Sequence, residues 1–373
     1  MRIIVSGGGT GGHIYPAITL IRAIERKVNN AEFLYVGTDA GLEADIVPKE
    51  NIPFETINIE GFARSLSPAN ILRGAKAVAG VAKAMNVVRR FRPDAAIGTG
   101  GYVCGPILLA ASLEGVPTLI QEQNVVPGIT NKILSKFVTK IAVGSNEAAA
   151  HFPKEKTVFT GNPIRGEVMA ARREDGIKKF GLDPNKITVL VSGGSRGART
   201  INRAMVGVLR HYVGDGNVQI LHVTGSAGHD DTMSLINEAG IDLDNAKNLI
   251  VRKYLYDMPL ALACADLAVF RAGAIGIAEL TARGIPSVLV PYPYAAANHQ
   301  EKNARAMEAA GAARVILDRD LKAESLLAVM VELLSESDKL KRMAEMSRKL
   351  GRPNAADVIA GIVLDIARGE RRA

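Results

Sequence analysis

The chain has 373 residues, which is too long for one ordinary domain and predicts two. Hydrophobic residues make up 47% and charged residues 23%, as in globular proteins, and no apolar run approaches the roughly 18 residues that a membrane-spanning helix needs. The net charge of +8 favours anionic partners, but the absence of tryptophan, the 5% aromatic content and the lack of a known nucleic-acid module argue against nucleic acid.

The N-terminus runs from Arg2 directly into a short apolar strand, without the apolar core and cleavage site of a secretion signal. The two cysteines, Cys104 and Cys264, lie far apart and form no C-x-x-C pair. Both features predict a protein of the reducing cytosol without a structural zinc site.

A glycine-rich loop follows the first predicted strand, in the stretch VSGGGTGGHIYP. Gly7, Gly9 and Gly12 have the G-x-G-x-x-G spacing of a dinucleotide-binding turn, where backbone N–H groups and a helix N-terminus approach a phosphate. The spacing alone is weak support, because the second strand ends in LYVGT and the acidic residue expected at its end comes one step later, at Asp39. An NAD- or flavin-dependent oxidoreductase remains an open alternative.

His13 closes that loop, shortly before Pro16, which is placed to start a helix. A neutral imidazole in a loop that faces a ligand can act as a general base near pH 7. Histidine also caps or packs turns, so the position by itself does not choose between the two roles.

A basic segment lies between Gly61 and Pro93, with seven basic residues and no acidic one. Apolar residues are interleaved with them, which predicts a basic amphipathic helix. Such a helix suits an anionic membrane surface, and it equally suits a solvated face packed on a core. The residues assigned to membrane contact are Ile71, Leu72, Arg73, Lys76, Arg89 and Arg90.

Polar side chains follow two further strands of the first half. The stretch GTGGYVCGP places Tyr102 in a bend after the fourth strand, and QEQNVVPGITNK presents Glu122, Asn124 and Asn131 after the fifth. Binding residues tend to lie on such loops, at the carboxyl ends of parallel strands.

A second series of strands and helices begins after TGNPIRGEV and opens with VSGGSRGARTINRA, in the same strand, glycine turn and helix order as the first. Strands that alternate with helices predict parallel sheets. The fold is therefore predicted to be α/β, with two doubly wound domains that face each other across a cleft and a boundary near Asn162. In the second half, Glu279 suits a ribose diol, while His299 and Gln300 suit sugar hydroxyls or phosphate.

Two D-x-D triplets occur, at residues 242–244 and 318–320. Both lie in turn-like or pre-helical sequence outside the glycine loops. They are interpreted as surface carboxylates, and no metal site is predicted.

The motifs GGGTGGHIYPA, GTGGYVCGP, EQNVVPGITNK, TGNPIR, GGSRGAR and RAGAIGIAEL…PYPYAAANHQEKNA together resemble the MurG family of peptidoglycan glycosyltransferases. The resemblance implies a GT-B fold of two Rossmann-like domains, with an acceptor- and membrane-binding domain at residues 1–162 and a UDP-sugar domain at 163–350. It also implies that a C-terminal helix near 351–373 packs back on the first domain.

The activity that the resemblance implies is an inverting transfer of N-acetylglucosamine from UDP-N-acetylglucosamine to the 4-hydroxyl of undecaprenyl-diphospho-muramoyl-pentapeptide. No cofactor or divalent metal is required by this interpretation. The protein would lie peripherally on the cytoplasmic face of the cell membrane, against an anionic surface, with a homodimer or a cell-wall synthesis complex as further partner states.

The family pattern, carried over position by position, implies three sets of site residues. The catalytic candidates are His13 and Glu122. The acceptor would meet Thr10, Gly11, Gly12, Tyr102 and Asn131. The donor would meet Asn124, Arg165, Ser195, Tyr254, Leu255, Met258, Ala274, Glu279, His299 and Gln300.

Two positions depart from the family pattern. Gln121 stands before EQN where the family usually has histidine, which places more weight on His13 and Glu122, and Ala272 follows Arg271 where serine is frequent. Other GT-B enzymes, such as a diacylglycerol glycosyltransferase or a UDP-sugar 2-epimerase, and a non-catalytic scaffold are alternatives. The stretch EQNVVPGITNK argues against the first two.

Overall fold

The computed structural model describes residues 1–57, 69–194 and 196–369, and for residues 69–79 it describes the backbone alone. Ser195 and the side chains of Ile71, Leu72, Arg73 and Lys76 lie outside the described residues. The chain divides into two compact units, one formed by Met1–Arg165 with Pro353–Ala373 and the other by Gly166–Arg352.

The first unit contains a seven-stranded parallel sheet in the order β3-β2-β1-β4-β5-β6-β7. Its strands are β1 (Arg2–Ser6), β2 (Glu32–Gly37), β3 (Phe54–Thr56), β4 (Ala95–Gly98), β5 (Thr118–Glu122), β6 (Lys140–Val143) and β7 (Thr157–Phe159). Its helices are α1 (Gly11–Glu25), α2 (Glu43–Lys49), α3 (Ala69–Phe91), α4 (Cys104–Leu113), α5 (Ile129–Leu134), α6 (Asn146–Ala149) and the C-terminal α16 (Ala355–Gly369).

Helices cover both faces of this sheet, which explains why its strands are apolar throughout rather than alternating. In β1, Ile3 and Val5 face a core layer shared with α1 and α16, whereas Ile4 faces the opposite layer, with α3 and α4. All three side chains have no exposed surface. The sheet is thereby fixed between two apolar layers, and its strand ends carry the loops.

The second unit contains a six-stranded parallel sheet in the order β10-β9-β8-β11-β12-β13. Its strands are β8 (Ile187–Ser192), β9 (Val218–Val223), β10 (Leu249–Arg252), β11 (Leu267–Phe270), β12 (Ser287–Leu289) and β13 (Ala313–Val315). Its helices are α7 (Gly166–Ala170), α8 (Arg173–Phe180), α9 (Arg199–Tyr212), α10 (His229–Glu238), α11 (Met258–Cys264), α12 (Ala274–Arg283), α13 (His299–Ala309), α14 (Ala323–Ser335) and α15 (Ser337–Leu350).

Both sheets share the strand order of a doubly wound fold, in which the chain first runs outward from the central strand to one edge and then continues on the other side of it. Ligands of such sheets bind beyond the carboxyl ends of the strands, where the direction of winding changes. The prediction of two doubly wound α/β domains is confirmed. Across residues 1–57, 69–194 and 196–369, no helix has the length and apolarity to cross a bilayer.

Candidate active site

The glycine loop after β1 interlocks with the loop after β4. The Gly8 amide donates to the Gly100 carbonyl at 3.2 Å. A side-chain carbon on Gly101 would lie 2.4 Å from the Gly8 carbonyl oxygen, and Gly101 has φ +86°. Only glycine fits this crossing, because a larger residue would clash and would also have to adopt a left-handed backbone. The two loops therefore pack directly against each other at the carboxyl ends of β1 and β4, where the direction of winding changes. We call this pair of loops the glycine floor.

His13 stands on this floor, in the first turn of α1. Its Nδ1 lies 3.0 Å from the Gly8 carbonyl oxygen. A carbonyl oxygen only accepts hydrogen bonds, so Nδ1 carries the proton and the lone pair of the neutral ring belongs to Nε2. The Thr99 hydroxyl fixes the backbone beneath the ring by donating to the His13 carbonyl at 2.7 Å. This tautomer is the one that a general base acting through Nε2 requires.

Glu43 is a residue that the sequence analysis did not single out. Its carboxylate has no exposed surface. It accepts hydrogen bonds from the Gly9 amide at 3.0 Å, the Thr38 amide at 3.2 Å and the Thr38 hydroxyl at 2.8 Å. The Thr38 hydroxyl also lies 3.4 Å from the hydroxyl of Tyr102, whose ring is 37% exposed. Glu43 thus joins the loops that carry His13 and Tyr102.

Glu122, the second catalytic candidate, is 2% exposed and holds the loop that follows β5. One oxygen accepts from the Asn124 amide at 3.0 Å and from its side chain at 3.3 Å. The other accepts from the Gly128 amide at 3.1 Å and from the Asn131 side chain at 2.8 Å. Both oxygens thus accept hydrogen bonds from N–H donors, an arrangement that orients Asn124.

Asn131, an acceptor candidate, is 3% exposed and turns its amide nitrogen to Glu122. Its Oδ1 has no hydrogen-bond partner among the described residues. The side chain therefore supports the loop from below instead of presenting itself on the surface.

Gln121, which replaces the histidine of the family pattern, is fully buried in a chain of amides. Its Nε2 donates to Asn162 Oδ1 at 2.9 Å, and its Oε1 accepts from Gln123, which also donates to the Thr99 carbonyl at 2.6 Å. These neutral groups satisfy one another, as buried polar groups must. Gln121 connects the ends of β4 and β5 with the segment that follows β7.

The second unit has a matching pair of glycine loops after β8 and β9. A side-chain carbon on Gly197 would lie 2.1 Å from the Thr224 carbonyl oxygen, and one on Gly225 would lie 2.1 Å from the Gly197 amide nitrogen. Both glycines have positive φ, +84° and +83°. The β8 loop leads directly into the N-terminus of α9, and a glycine-rich turn before a helix N-terminus is typical of phosphate sites.

The other donor candidates are distributed over several strand ends. Arg165 is half-buried and is the last residue of the segment Met1–Arg165. The second unit places its candidates after β10, β11 and β12: Tyr254, Leu255, Met258, Ala274, Glu279, His299 and Gln300. Glu279 is 7% exposed within α12, and Tyr254 is 40% exposed and stacks edge-on with Tyr256. Seven of the predicted residues thus follow three strands of the same sheet along the chain.

The interpretation of Asp318 as a surface carboxylate is wrong. Its side chain is 14% exposed and forms an ion pair with Arg271, and the Thr200 hydroxyl donates to it at 2.6 Å. Arg271 also donates to the Val290 and Pro291 carbonyls at 3.2 and 3.1 Å. The end of β11 brings this arginine to the carboxylate, which the local sequence around Asp318 does not show. The cluster fastens the loop after β12.

The basic residues at the end of α3 are engaged in ion pairs. Arg89 pairs with Glu114 at 2.8 Å, and Arg90 pairs with Glu55. Both arginines remain largely exposed, so each pair contributes little to stability. Their charge is nevertheless partly neutralised locally.

A different surface of the first unit combines exposed apolar and basic side chains. We call it the apolar–basic surface; it consists of Ile129, Lys132, Ile133, Lys136 and Phe137, on α5 and just after it. Ile129, Ile133 and Phe137 are 78%, 58% and 49% exposed, and both lysines are exposed. Adjacent large apolar side chains in water mark an interaction surface.

Comparison with known proteins connects both halves of the chain to one family. Residues 3–143 match the family model described as the glycosyltransferase family 28 N-terminal domain, and residues 188–359 match its C-terminal domain. A protein of Desulforamulus reducens is 48% identical over 361 residues, covering 96% of this chain and 97% of its own. One of Desulfitobacterium hafniense is 47% identical over 368 residues, covering 98% and 100%. Both are named UDP-N-acetylglucosamine–N-acetylmuramyl-(pentapeptide) pyrophosphoryl-undecaprenol N-acetylglucosamine transferase.

Solved structures give the same picture. The crystal structure of MurG from Acinetobacter baumannii matches with a TM-score of 0.76 and 27% identity, covering 98% of this chain and 99% of that one. A UDP-GlcNAc 2-epimerase from Neisseria meningitidis, bound to UDP-GlcNAc, matches with a TM-score of 0.67, covering 98% and 100%, but at 13% identity this likeness concerns the fold alone.

Proposed function

The chain belongs to glycosyltransferase family 28 and, within it, to the MurG transferases, and from this we propose that it transfers N-acetylglucosamine from UDP-N-acetylglucosamine to lipid-linked N-acetylmuramoyl-pentapeptide. The product is the disaccharide-lipid precursor of peptidoglycan. The proposal is supported by the chain's similarity to these transferases over nearly its full length. It is also supported by the position of His13, whose Nδ1 donates to the glycine floor and leaves Nε2 as the basic atom.

The reaction is an inverting displacement. The 4-oxygen of the muramoyl sugar bonds to the anomeric carbon of N-acetylglucosamine while the bond from that carbon to the β-phosphate oxygen breaks, and UDP leaves with the electron pair. His13 takes the hydroxyl proton on Nε2 as the new bond forms. Such general-base catalysis contributes roughly 10²–10⁴ in rate. The product is β-linked, since the attack comes from the face opposite UDP.

On the donor side, the second unit binds the nucleotide. The N-terminus of α9 and the loop before it meet the diphosphate. Ser195 and Arg165, whose positive charge would offset the charge developing on UDP, stay predicted diphosphate contacts. Glu279 takes the ribose hydroxyls, and Tyr254, Leu255 and Met258 enclose the uracil. Ala274, His299 and Gln300 lie beside the sugar and diphosphate, and Asn124 of the first unit stays a predicted donor contact.

On the acceptor side, Thr10 and the first amides of α1 receive the lipid diphosphate. The first N–H groups of a helix lack intrahelical acceptors, and α1 has no acidic residue in its first turn. Gly11 and Gly12 allow the phosphate to come close to the backbone. The partly exposed ring of Tyr102 borders the acceptor site. Glu122 acts through the loop that it holds, by orienting Asn124, and its assignment as a second base stays a prediction.

Because the proposed acceptor is anchored in the membrane by its lipid, we propose that the protein associates with the membrane. We assign this association in part to the apolar–basic surface. Lys132 and Lys136 would meet anionic headgroups while Ile129, Ile133 and Phe137 enter the interface. The test is binding to anionic vesicles by the variant with Ile129, Ile133 and Phe137 changed to serine, against a control with the exposed Val213 and Val331 changed to serine. Loss of binding in the triple variant alone supports the assignment.

Binding that is unchanged in the triple variant overturns it, and the segment with Arg73, Lys76, Arg89 and Arg90 then becomes the surface to neutralise. Light scattering on the same samples measures whether the protein forms the homodimer named above. Pull-down with membrane extracts of cell-wall enzymes addresses the larger complex.

The function itself is tested by UDP release from UDP-N-acetylglucosamine, with and without a short-chain muramoyl-pentapeptide lipid. Release that depends on the acceptor, and that falls by about 10²–10⁴ in His13→Ala while the donor still binds, is the expected result. The matched control is His151→Ala, because His151 is an exposed histidine outside the glycine loops. Wild-type protein that releases no UDP with any lipid acceptor would contradict the proposal.

A further inference from the structure

We propose that Glu43 is a positioning residue for the acceptor side of the reaction: its buried carboxylate holds the glycine loop under His13 and, through Thr38, the loop that carries Tyr102. The inference deepens the proposed function and rests on it. Glu43 lies at the start of α2, and nothing in the family comparison assigns it a role.

The carboxylate is fully removed from water, and this placement is costly unless hydrogen bonds replace the lost hydration. Three donors supply them: the Gly9 amide to Oε2, and the Thr38 amide and hydroxyl to Oε1. Hydrogen bonds to an ionised group are roughly twice as strong as neutral ones. The carboxylate thus connects the loop after β1 to the loop after β2 through directional hydrogen bonds.

Three glycines enclose this carboxylate. A side-chain carbon on Gly8 would lie 2.5 Å from Glu43 Oε1, one on Gly41 2.2 Å from the same atom, and one on Gly37 2.6 Å from Glu43 Cγ. Distances under about 3 Å are clashes that packed interiors do not accept. The strand end, the turn and the glycine loop are therefore all shaped around Glu43.

Two contacts connect Glu43 to His13 and to Tyr102. The residue next to Gly9 is Gly8, whose carbonyl accepts from His13 Nδ1 and sets its tautomer. The Thr38 hydroxyl that donates to Glu43 lies 3.4 Å from the Tyr102 hydroxyl. A loop that loses its anchor at Gly9 would move the carbonyl that orients His13.

The same charge restricts where a phosphate can bind. The Gly9 amide already donates to a carboxylate, so a phosphate at this amide would lose a donor and meet a fixed negative charge. The acceptor diphosphate is therefore directed to the first turn of α1, at Gly11 and Gly12, where no acidic side chain stands. The loop also becomes a poor site for a dinucleotide pyrophosphate.

The test compares Glu43→Gln with wild type. A glutamine keeps the shape but accepts at one atom only, so its NH₂ group must face either Gly9 or Thr38, donor against donor. We expect kcat/KM for the lipid acceptor to fall about 100-fold, the effect of a misplacement near 1 Å, while the dissociation constant for UDP stays within a factor of about two of wild type. Asp45→Asn is the control, since Asp45 lies exposed on the same helix.

A readout that does not depend on activity is hydrogen–deuterium exchange of the Gly9 amide, which we expect to be faster in Glu43→Gln. If that variant does not fold, Thr38→Val replaces it, because it removes the hydroxyl between Glu43 and Tyr102 and should lower acceptor kcat/KM with unchanged UDP binding.

Acceptor kinetics and Gly9 exchange equal to wild type would overturn the inference, as would equal losses of acceptor and donor affinity. If the wild-type protein shows no transfer but Gly9 exchanges faster in Glu43→Gln, the proposed function is refuted, whereas the anchoring of the loop by Glu43 is supported.

Discussion

His222 lies on β9 of the second sheet, and its ring is kept neutral by its surroundings. Complete burial, followed by the nearby charge of His229, lowers its pKa from 6.5 to about 3. Nε2 lies 3.1 Å from the Asn202 Oδ1, and because the Asn202 amide nitrogen donates to Thr224, the imidazole must be the donor. Nδ1 has no partner in the described part of the chain.

This environment predicts a loss of stability in mild acid. Below pH 6.5 the unfolded chain binds a proton at His222 that the folded protein refuses until about pH 3, so the free energy of unfolding falls as the pH drops through this window. The loss is up to about 1.4 kcal/mol per pH unit. Urea unfolding at pH 7.5 and 5.0 should show a smaller difference in His222→Gln than in wild type.

The exposed His151 provides the control for that experiment, since His151→Gln should keep the pH dependence of wild type. Identical pH dependence in wild type and His222→Gln would contradict this account of the buried ring.

The carboxylates Glu43 and Glu122 show where prediction from sequence stops. The motif around Glu122 predicts that it lies on the loop after β5, whereas the structure makes it the buried last residue of that strand. Which hydrogen bonds its oxygens receive depends on backbone amides such as that of Gly128, and their direction is set by the tertiary fold. The burial of Glu43 cannot be predicted from the sequence, because an acidic residue in the first turn of a helix is ordinarily exposed to solvent and interacts with the helix dipole.

At the scale of elements, the paired glycine loops of the second unit make a sharp prediction. Gly197→Ala would bring a methyl group to about 2.1 Å from the Thr224 carbonyl at a positive φ, so the β8 and β9 loops must separate. We expect UDP affinity, measured by calorimetry, to fall at least tenfold, which corresponds to about 1.4 kcal/mol.

Gly216→Ala is the matched control, because its backbone does not have a positive φ and a side-chain carbon there meets nothing within 4 Å. It should bind UDP like wild type. If Gly197→Ala did so too, the interlocked loops would not be the diphosphate site.

Apolar runs in the sequence predict most strands, including the three-residue strands β3, β7 and β12, but not β13. The runs RIIVSG and ITVLVSGG identify β1 and β8, since a strand buried on both faces must be continuously apolar. Strand β13 was missed: Ala313–Val315 has only three residues, one of them an arginine, and it exists because it pairs with β12 at the edge of the sheet. Tertiary pairing, not local propensity, makes this strand.

At the scale of the whole chain, the C-terminal helix completes the first unit. Ile359 and Val363 on α16 lie in the same apolar cluster as Ile14 and Ile21 on α1, and all four have no exposed surface. The first unit is therefore made of two segments far apart in sequence. The alternation of strands and helices predicts two sheets, but only the resemblance to a known family predicted that the end of the chain returns to the first.

Ile359→Ala should accordingly destabilise the protein by about 2–5 kcal/mol, the usual range for a fully buried isoleucine. Val358→Ala, one position earlier and 46% exposed, should change stability by less than about 0.5 kcal/mol. Chemical denaturation of both variants measures this. Equal effects at the two positions would mean that α16 does not pack as described.

If this chain joins N-acetylglucosamine to a lipid-linked muramoyl acceptor with inversion, the product carries one added β-linked sugar. Purified protein is incubated with UDP-N-acetylglucosamine and the short-chain muramoyl-pentapeptide lipid, and the lipid is analysed by mass spectrometry and by cleavage with a β-N-acetylglucosaminidase. We expect an acceptor that gains one N-acetylhexosamine, removable by that enzyme. An unmodified acceptor, or a sugar that only an α-specific glycosidase removes, would contradict it.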